Sequence, residues 1–114
     1  MVVDQRFGLT DEEVDRIFHA LADATRRDIL RRSLEAPLSV SELAAFYDMS
    51  FAAVQKHVAV LEGAGLVTKE PDGRKRLVHG NPETLAKAQA LMEEYEAIWR
   101  SRVERLEALL SEDR

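Results

Sequence analysis

A mostly α-helical fold carrying one small β-hairpin is predicted for this chain by three observations. Apolar residues return at intervals of three and four through most of the sequence, as in helices with one buried face. Two β-prone runs flank an Asp72-Gly73 turn, the signature of a hairpin. Residues 50–65, SFAAVQKHVAVLEGAG, combine a capping serine, a buried stripe and a terminal glycine, and the remaining elements are organised around them.

Taken in order, residues 1–9 show no periodicity and are expected to form a mobile N-terminal arm. Residues 10–114 are then expected to form a single domain. Thr10-Asp11-Glu12-Glu13 is a capping box, with Thr10 as N-cap and Glu13 reaching back. Val14, Ile17, Phe18 and Leu21 follow at helical spacing and predict a first helix over residues 11–22. Asp23 caps a second helix whose Ile29, Leu30 and Leu34 face the core. Arg26, Arg27, Arg31 and Arg32 surround its other faces. They form either a solvated face paired with Asp23, Asp28 and Glu35, or contacts to a phosphate backbone.

Pro37 interrupts, and Leu38 is a candidate start for a short strand. Ser39-Val40-Ser41-Glu42 repeats the capping box and opens a third helix to Tyr47. Asp48-Met49-Ser50 is a tight connection to the fourth. In that helix Val54, Val58 and Leu61 share one buried stripe, while Phe51, Ala52, Gln55, Lys56 and, obliquely, His57 lie off it. Gly65 supplies the left-handed stop, with Leu61 and Leu66 at the two positions whose apolar contact accompanies such a cap. Two short helices joined by three residues make a helix-turn-helix, whose second helix is suited to lie on DNA.

The hairpin comes immediately after, with Arg74, Lys75 and Arg76 at its tip, and its position beside the helix reads as a wing touching phosphates or the minor groove. The competing reading is a solubilising edge hairpin. Asn81 then caps a last helix with Pro82 in its first turn, where a missing N–H costs nothing. Residues 81–111 carry an apolar stripe through Leu91, Tyr95, Ile98, Trp99, Val103 and Leu106. A helix of that length extends roughly 43 Å, more than so small a domain needs. A symmetric dimer through the first and last helices accounts for the surplus, using Val14, Ile17, Phe18, Leu21, Leu91, Tyr95, Ile98, Trp99, Val103 and Leu106. An apolar ligand site or a different partner helix are the alternatives. The whole is a winged helix-turn-helix of order α-α-α-α-β-β-α.

Composition bounds the function. At 114 residues, 46% hydrophobic and 32% charged, the chain reads as one globular domain. No apolar run approaches membrane-spanning length and no leader pattern opens the chain, so a cytoplasmic protein away from membranes is expected. The absence of cysteine excludes disulfides, thiolate metal sites and thiol redox sensing. Net charge is −5, but it is uneven: residues 41–80 are neutral while both flanking thirds are acidic. Local field decides where a polyanion docks, so DNA binding is compatible with this balance, whereas tight sequence-blind binding is not. No nucleophile elbow, phosphate-cradling glycine loop or HExxH is present, which argues against catalysis.

Three segments together resemble the ArsR-type winged-helix repressors. They are Ala20-Leu21-Ala22-Asp23-Ala24-Thr25-Arg26-Arg27-Asp28-Ile29-Leu30, then Ser39-Val40-Ser41-Glu42-Leu43-Ala44, then Val54-Gln55-Lys56-His57-Val58 with Leu61-Glu62-Gly63-Ala64-Gly65-Leu66-Val67. The resemblance covers roughly residues 13–110. It implies a homodimeric repressor that binds an inverted-repeat operator in double-stranded DNA and leaves it on a signal. By position, residues 50–57 would face DNA and residues 74–76 would be the wing. Two departures bear on the signal. Metal-sensing members place cysteines in the third helix, and Leu43-Ala44-Ala45-Phe46 has none; others use histidines on the last helix, which here has none. No metal or cofactor is therefore expected, and the effector stays unassigned beyond being a non-thiol signal.

The DNA-contact candidates are Ser39, Ser50, Phe51, Ala52, Gln55, Lys56, His57, Arg74, Lys75 and Arg76. Gln55 is the best base reader, because its amide can pair bidentately with adenine. Lys56 suits a phosphate, since a flexible ammonium carries little geometric information. Phe51 fits a thymine methyl or helix packing equally, and His57 fits a DNA contact or a half-buried place at the core edge. His19 and Asp15, four apart, read as a surface pair, and His79 as structural or phosphate-facing. Tyr95 and Trp99 read as core or dimer packing ahead of an aromatic ligand cage. The alternative function is a protein-interaction module in which the long last helix binds a partner, as the acidic net charge would favour.

Overall fold

The computed structural model describes residues 8–112. Its order is α1 (Asp11–Leu21), α2 (Ala24–Glu35), β1 (Leu38–Ser39), α3 (Val40–Ala44), α4 (Phe51–Gly63), β2 (Val67–Asp72), β3 (Lys75–Gly80) and α5 (Pro82–Glu112). This is a winged helix-turn-helix. Residues 1–7, most of the expected arm, lie outside the described residues, and Leu9 is already buried in the core.

The helix starts follow local chemistry. Both capping boxes close in both directions: Thr10 Oγ1 accepts from the Glu13 N–H while Glu13 accepts from the Thr10 N–H, and Ser39 and Glu42 do the same. Each leaves its glutamate carboxyl below the usual range, chiefly through the cap residue's backbone N–H. Asp23 and Ser50 cap α2 and α4 by accepting from Arg26 N–H and Ala53 N–H.

At the far end of α4, Gly65 takes a φ of +76°, its N–H donates to Glu62 O, and the Leu66 N–H reaches Leu61 O at 3.0 Å. These are the paired bonds of a Schellman cap, and Leu61 and Leu66 are both fully buried, as the apolar contact of that motif requires. The cap also anchors the last helix. Asn81 donates from its backbone to Leu66 O (2.8 Å) and from its side chain to Gly65 O (3.0 Å), while its Oδ1 accepts from the Glu83 N–H. The start of α5 is thereby tied to the end of α4.

The sheet has three strands, in the order β1-β3-β2, all antiparallel, so the two-stranded expectation is corrected. Leu38 pairs with Val78 and Ser39 with Leu77, a pairing between residues about forty apart that no local pattern announces. Pro71 is accepted within β2 because that strand lies at the sheet edge, where a missing N–H breaks no ladder. Asp72 pairs with Lys75, so the turn residues are Gly73 and Arg74, with Gly73 at a φ of +61° as a type II′ turn requires.

α3 ends three residues before Tyr47. Phe46 N–H to Leu43 O and Tyr47 N–H to Ala44 O are i to i−3 bonds of a tightened turn. That turn lets the Tyr47 side chain reach α2. Ile17, Ile29, Leu43, Val54, Val58, Leu61, Leu66, Val67 and Val78 are fully buried and form the core, to which every element from α1 to β3 except the two-residue β1 contributes.

α5 behaves differently. Ala88 is its one buried residue, and Met92, Tyr95, Ile98, Trp99, Leu106, Leu109 and Leu110 are all exposed. The helix spans about 46 Å, and the radius of gyration of 19.1 Å exceeds the roughly 13 Å of a compact chain this long. Its second half therefore extends away from the core. Ile17 requires a correction in the opposite sense: at 1% exposure it faces the protomer's own core and is not available to a partner. Phe18, its neighbour on α1, is exposed instead, and Val14 and Leu21 are half-buried.

Candidate nucleic-acid interface

α4 buries Val54, Val58 and Leu61, and the opposite side of the same helix is exposed at Phe51, Ala52, Gln55, Lys56 and Ala59. The stripe that anchors the helix thus fixes which side chains are presented. Ala59 is a site residue that sequence reasoning missed, although its place three after Lys56 and four after Gln55 puts it on the same face. Ser50, at the N-terminus of this face, accepts the Ala53 N–H at 3.1 Å and keeps its hydroxyl proton free to donate.

The wing lies beside α3. Arg74, Lys75 and Arg76 are exposed, and with Ser39, Val40, Ser41 and Glu42 they border a cleft of about 390 Å³. Ser39 is occupied as a cap acceptor, while Ser41, which sequence reasoning passed over, is exposed at the first turn of α3. Among the described residues, Lys56, Arg74, Lys75 and Arg76 form no salt bridge. Hydroxyl donors, a short helix N-terminus and unneutralised cations around one cleft suit an anionic oxygen.

The arginines of α2 mostly serve the fold. Asp28 accepts from Tyr47 Oη (2.6 Å), Arg31 (2.7 Å) and Arg32 (2.9 Å), and those three donors hold its carboxyl far below the usual range. Burial, together with the bond to Asp28, pushes the Tyr47 phenol up to about 12. Arg32 also stacks over the Phe46 ring at 3.7 Å. This cluster fastens the turn between α3 and α4 to α2. Arg27 donates to Leu21 O.

Arg26 does the most. It donates from Nε to Ala20 O (2.8 Å), from one terminal nitrogen to His19 O (3.0 Å), and from the other to His57 Nδ1 (3.3 Å). It satisfies carbonyls at the end of α1 while holding α4 through His57. Because a guanidinium only donates, His57 accepts at Nδ1 and carries its proton on Nε2. Asp23, held below the ordinary carboxylate range chiefly by the Arg26 N–H, lies 3.9 Å from the same ring. His57 is half-buried against the body, which corrects its place among the free DNA-facing side chains. His79 pairs with Glu70 at 3.5 Å within the hairpin. His19 and Asp15 border a cleft with Val60, and among the described residues no group of three or more His, Cys, Asp or Glu is placed to hold a metal ion. No helix among the described residues is long and apolar enough to cross a membrane.

Comparison with known proteins agrees with this geometry. A helix-turn-helix domain family matches residues 21–70. The HTH-type transcriptional regulator Rv2034 of Mycobacterium tuberculosis is 41% identical over 85 residues, covering 75% of this chain and 77% of that protein. An ArsR-like transcriptional regulator from Rhodococcus sp. RHA1 superposes with a TM-score of 0.77 at 31% identity, covering 86% of this chain and 92% of its own. The ArsR family transcriptional regulator RHA00566 gives a TM-score of 0.75 at 35% identity, covering 82% and 96%.

Proposed function

This chain belongs to the ArsR-type winged helix-turn-helix transcriptional regulators, and from that premise we propose that it is a homodimeric cytoplasmic repressor of an inverted-repeat operator. In this reading residues 10–114 act as one domain, with residues 81–111 serving dimerisation. Gln55 reads a base edge, bidentately where that base is adenine, and Phe51 and Ala52 supply apolar contact to thymine methyl groups. Lys56, the hydroxyls of Ser39 and Ser50, and Arg74, Lys75 and Arg76 hold phosphates, with the wing cations also able to enter the minor groove. His57 positions the helix from behind.

The observation that carries the reading is the exposed apolar length of α5, with Trp99 62% accessible, on a domain whose α4 presents a mostly uncharged outer face. A single such face offers few strong contacts. Two copies related by a two-fold axis meet successive major grooves about one helical turn apart, and that doubling supplies affinity. Dimer contacts then fall to Val14, Phe18 and Leu21 on α1 and to Leu91, Tyr95, Ile98, Trp99, Val103 and Leu106 on α5. With no cysteine in the chain, operator release follows a non-thiol signal.

Footprinting of the purified protein on genomic fragments, its own upstream region included, tests the proposal. An enriched palindrome with half-sites about one turn apart is expected, with affinity falling steeply as salt rises. The absence of any enriched palindrome would overturn it, as would light scattering that showed a stable monomer.

A further inference from the structure

We propose that the C-terminal turn of α5, Leu109 and Leu110, closes a cleft on the second copy of this chain, between that copy's α2 and the start of its α5. This deepens the dimer reading and rests on it. The cleft, of about 400 Å³, is bordered by Leu21, Leu30, Leu34 and Leu85, with Arg27, Arg31 and Glu35 at its rim. Leu34 is 44% accessible there, and nothing within the described chain covers it. Leu85 also heads the α5 stripe, so the cleft and the exposed helix face are one continuous apolar surface. At the other end of that face, Leu109 and Leu110 are 60% and 68% accessible.

Charge selects the second copy as occupant and sets its direction. Glu93, Glu94 and Glu96 precede the middle of the exposed helix, and Arg100, Arg102 and Arg105 come after it, with Glu104 among them. Glu96 and Arg100 bridge one another along the helix. Parallel pairing of two α5 helices sets each acidic block against itself. Antiparallel pairing sets it against the basic block, with Glu104 facing Glu93 as the one like-charge opposition.

Matching Glu94 to Arg102 and Glu93 to Arg105 places the two-fold at residues 98–99. The same register sets Leu106 opposite Leu91, Ile98 opposite Trp99, and Leu109 opposite Ala88. Ala88 lies one turn beyond Leu85, at the cleft mouth. At 1.5 Å per residue, Leu109 and Ala88 both stand about 16 Å from the centre, so the helix is long enough to deliver its last leucines there.

The cysteine-free chain allows the test to be made with single introduced thiols under mild oxidation. Ile98→Cys reports on the α5 crossing alone and is expected to cross-link to itself. Leu34→Cys protein mixed with Leu109→Cys protein is expected to give a mixed cross-link; because Leu34 lies on α2, that link shows the tip inside the cleft. Leu34→Cys should also lose reactivity towards a water-soluble maleimide as protein concentration rises through dimerisation. It should regain that reactivity when Leu109→Ser and Leu110→Ser are added.

A self-linked Ile98→Cys with no mixed link would leave the dimer standing and overturn this proposal. Self-linking of Leu109→Cys would mean parallel helices and overturn it too. Protection of Leu34→Cys that ignored concentration and the serine changes would mean a different occupant, an apolar ligand included, and would overturn the proposal as well. A monomer by light scattering with no Ile98→Cys link would overturn the dimer and the proposal together.

Discussion

Arg26→Met tests whether one side chain joins α1, α2 and α4. Methionine keeps the apolar stem and removes the guanidinium, isolating the polar contribution. The lost contacts are the bonds to Ala20 O at 2.8 Å and His19 O at 3.0 Å, and the tie to His57 Nδ1 at 3.3 Å. A bond from a charged donor is worth about 1.5–3 kcal/mol where the acceptor cannot rehydrate. Here the carbonyls end a helix near solvent, so roughly 1 kcal/mol each is the apt figure, or about 2 kcal/mol in all. A chain this long gains about 240 cal/mol/K on unfolding, so the midpoint should drop by about 8 °C. Circular dichroism melting at one fixed protein concentration measures this, since dimerisation makes the midpoint concentration-dependent. Arg26→Lys should fall in between, because a single ammonium cannot serve three acceptors in fork geometry. A drop below about 2 °C for Arg26→Met would refute the idea that this residue fastens the three helices.

Two further predictions concern caps and acid. Gly65→Ala forces a Cβ onto a backbone at φ +76° and within 3.4 Å of Thr84 Oγ1, and should cost about 1–2 kcal/mol by urea denaturation; an unchanged midpoint would mean the Schellman cap contributes nothing. Asp28 has its folded-state pKa depressed by Tyr47, Arg31 and Arg32, so its stabilisation is full above its unfolded value of about 4 and is lost as pH falls through the folded value. Asp28→Asn should therefore be less stable at pH 7 yet lose less on acidification below about pH 4. A parent and variant with parallel stability curves across that range would contradict the assignment.

Local chemistry was legible and long-range chemistry was not. The capping boxes at Thr10 and Ser39, the stripe of Val54, Val58 and Leu61, and the Gly65 stop each depend on residues within five positions, and the structure has them all. Arg26 resisted prediction because its partners lie six, seven and thirty-one residues away on other helices. The spacing of charges on α2 is the same for an arginine facing water and one facing a helix end. Tyr47 to Asp28 is equally remote, and it explains why α3 ends early although Ala45 and Phe46 continue its apolar content. Ile17 and Phe18 show a related limit. Adjacent apolar residues on one helix both satisfy the periodicity, and packing alone decides that Ile17 turns inward and Phe18 outward. On the candidate interface, the face of α4 followed from the stripe opposite it. His57 and Ser41 did not, since their placement depends on α2 and on the wing.

Equilibrium DNA binding by the Gln55→Ala, Lys56→Ala double variant tests the central claim most directly. Both side chains are exposed and neither contributes to the core, so the variant should fold as the parent does. Fluorescence anisotropy on the footprinted palindrome should show affinity reduced by about 1–3 kcal/mol for the lost base contact, with a further loss for the phosphate contact and a shallower salt dependence. Binding equal to that of the parent at every salt concentration would mean that α4 is not the element that reads DNA.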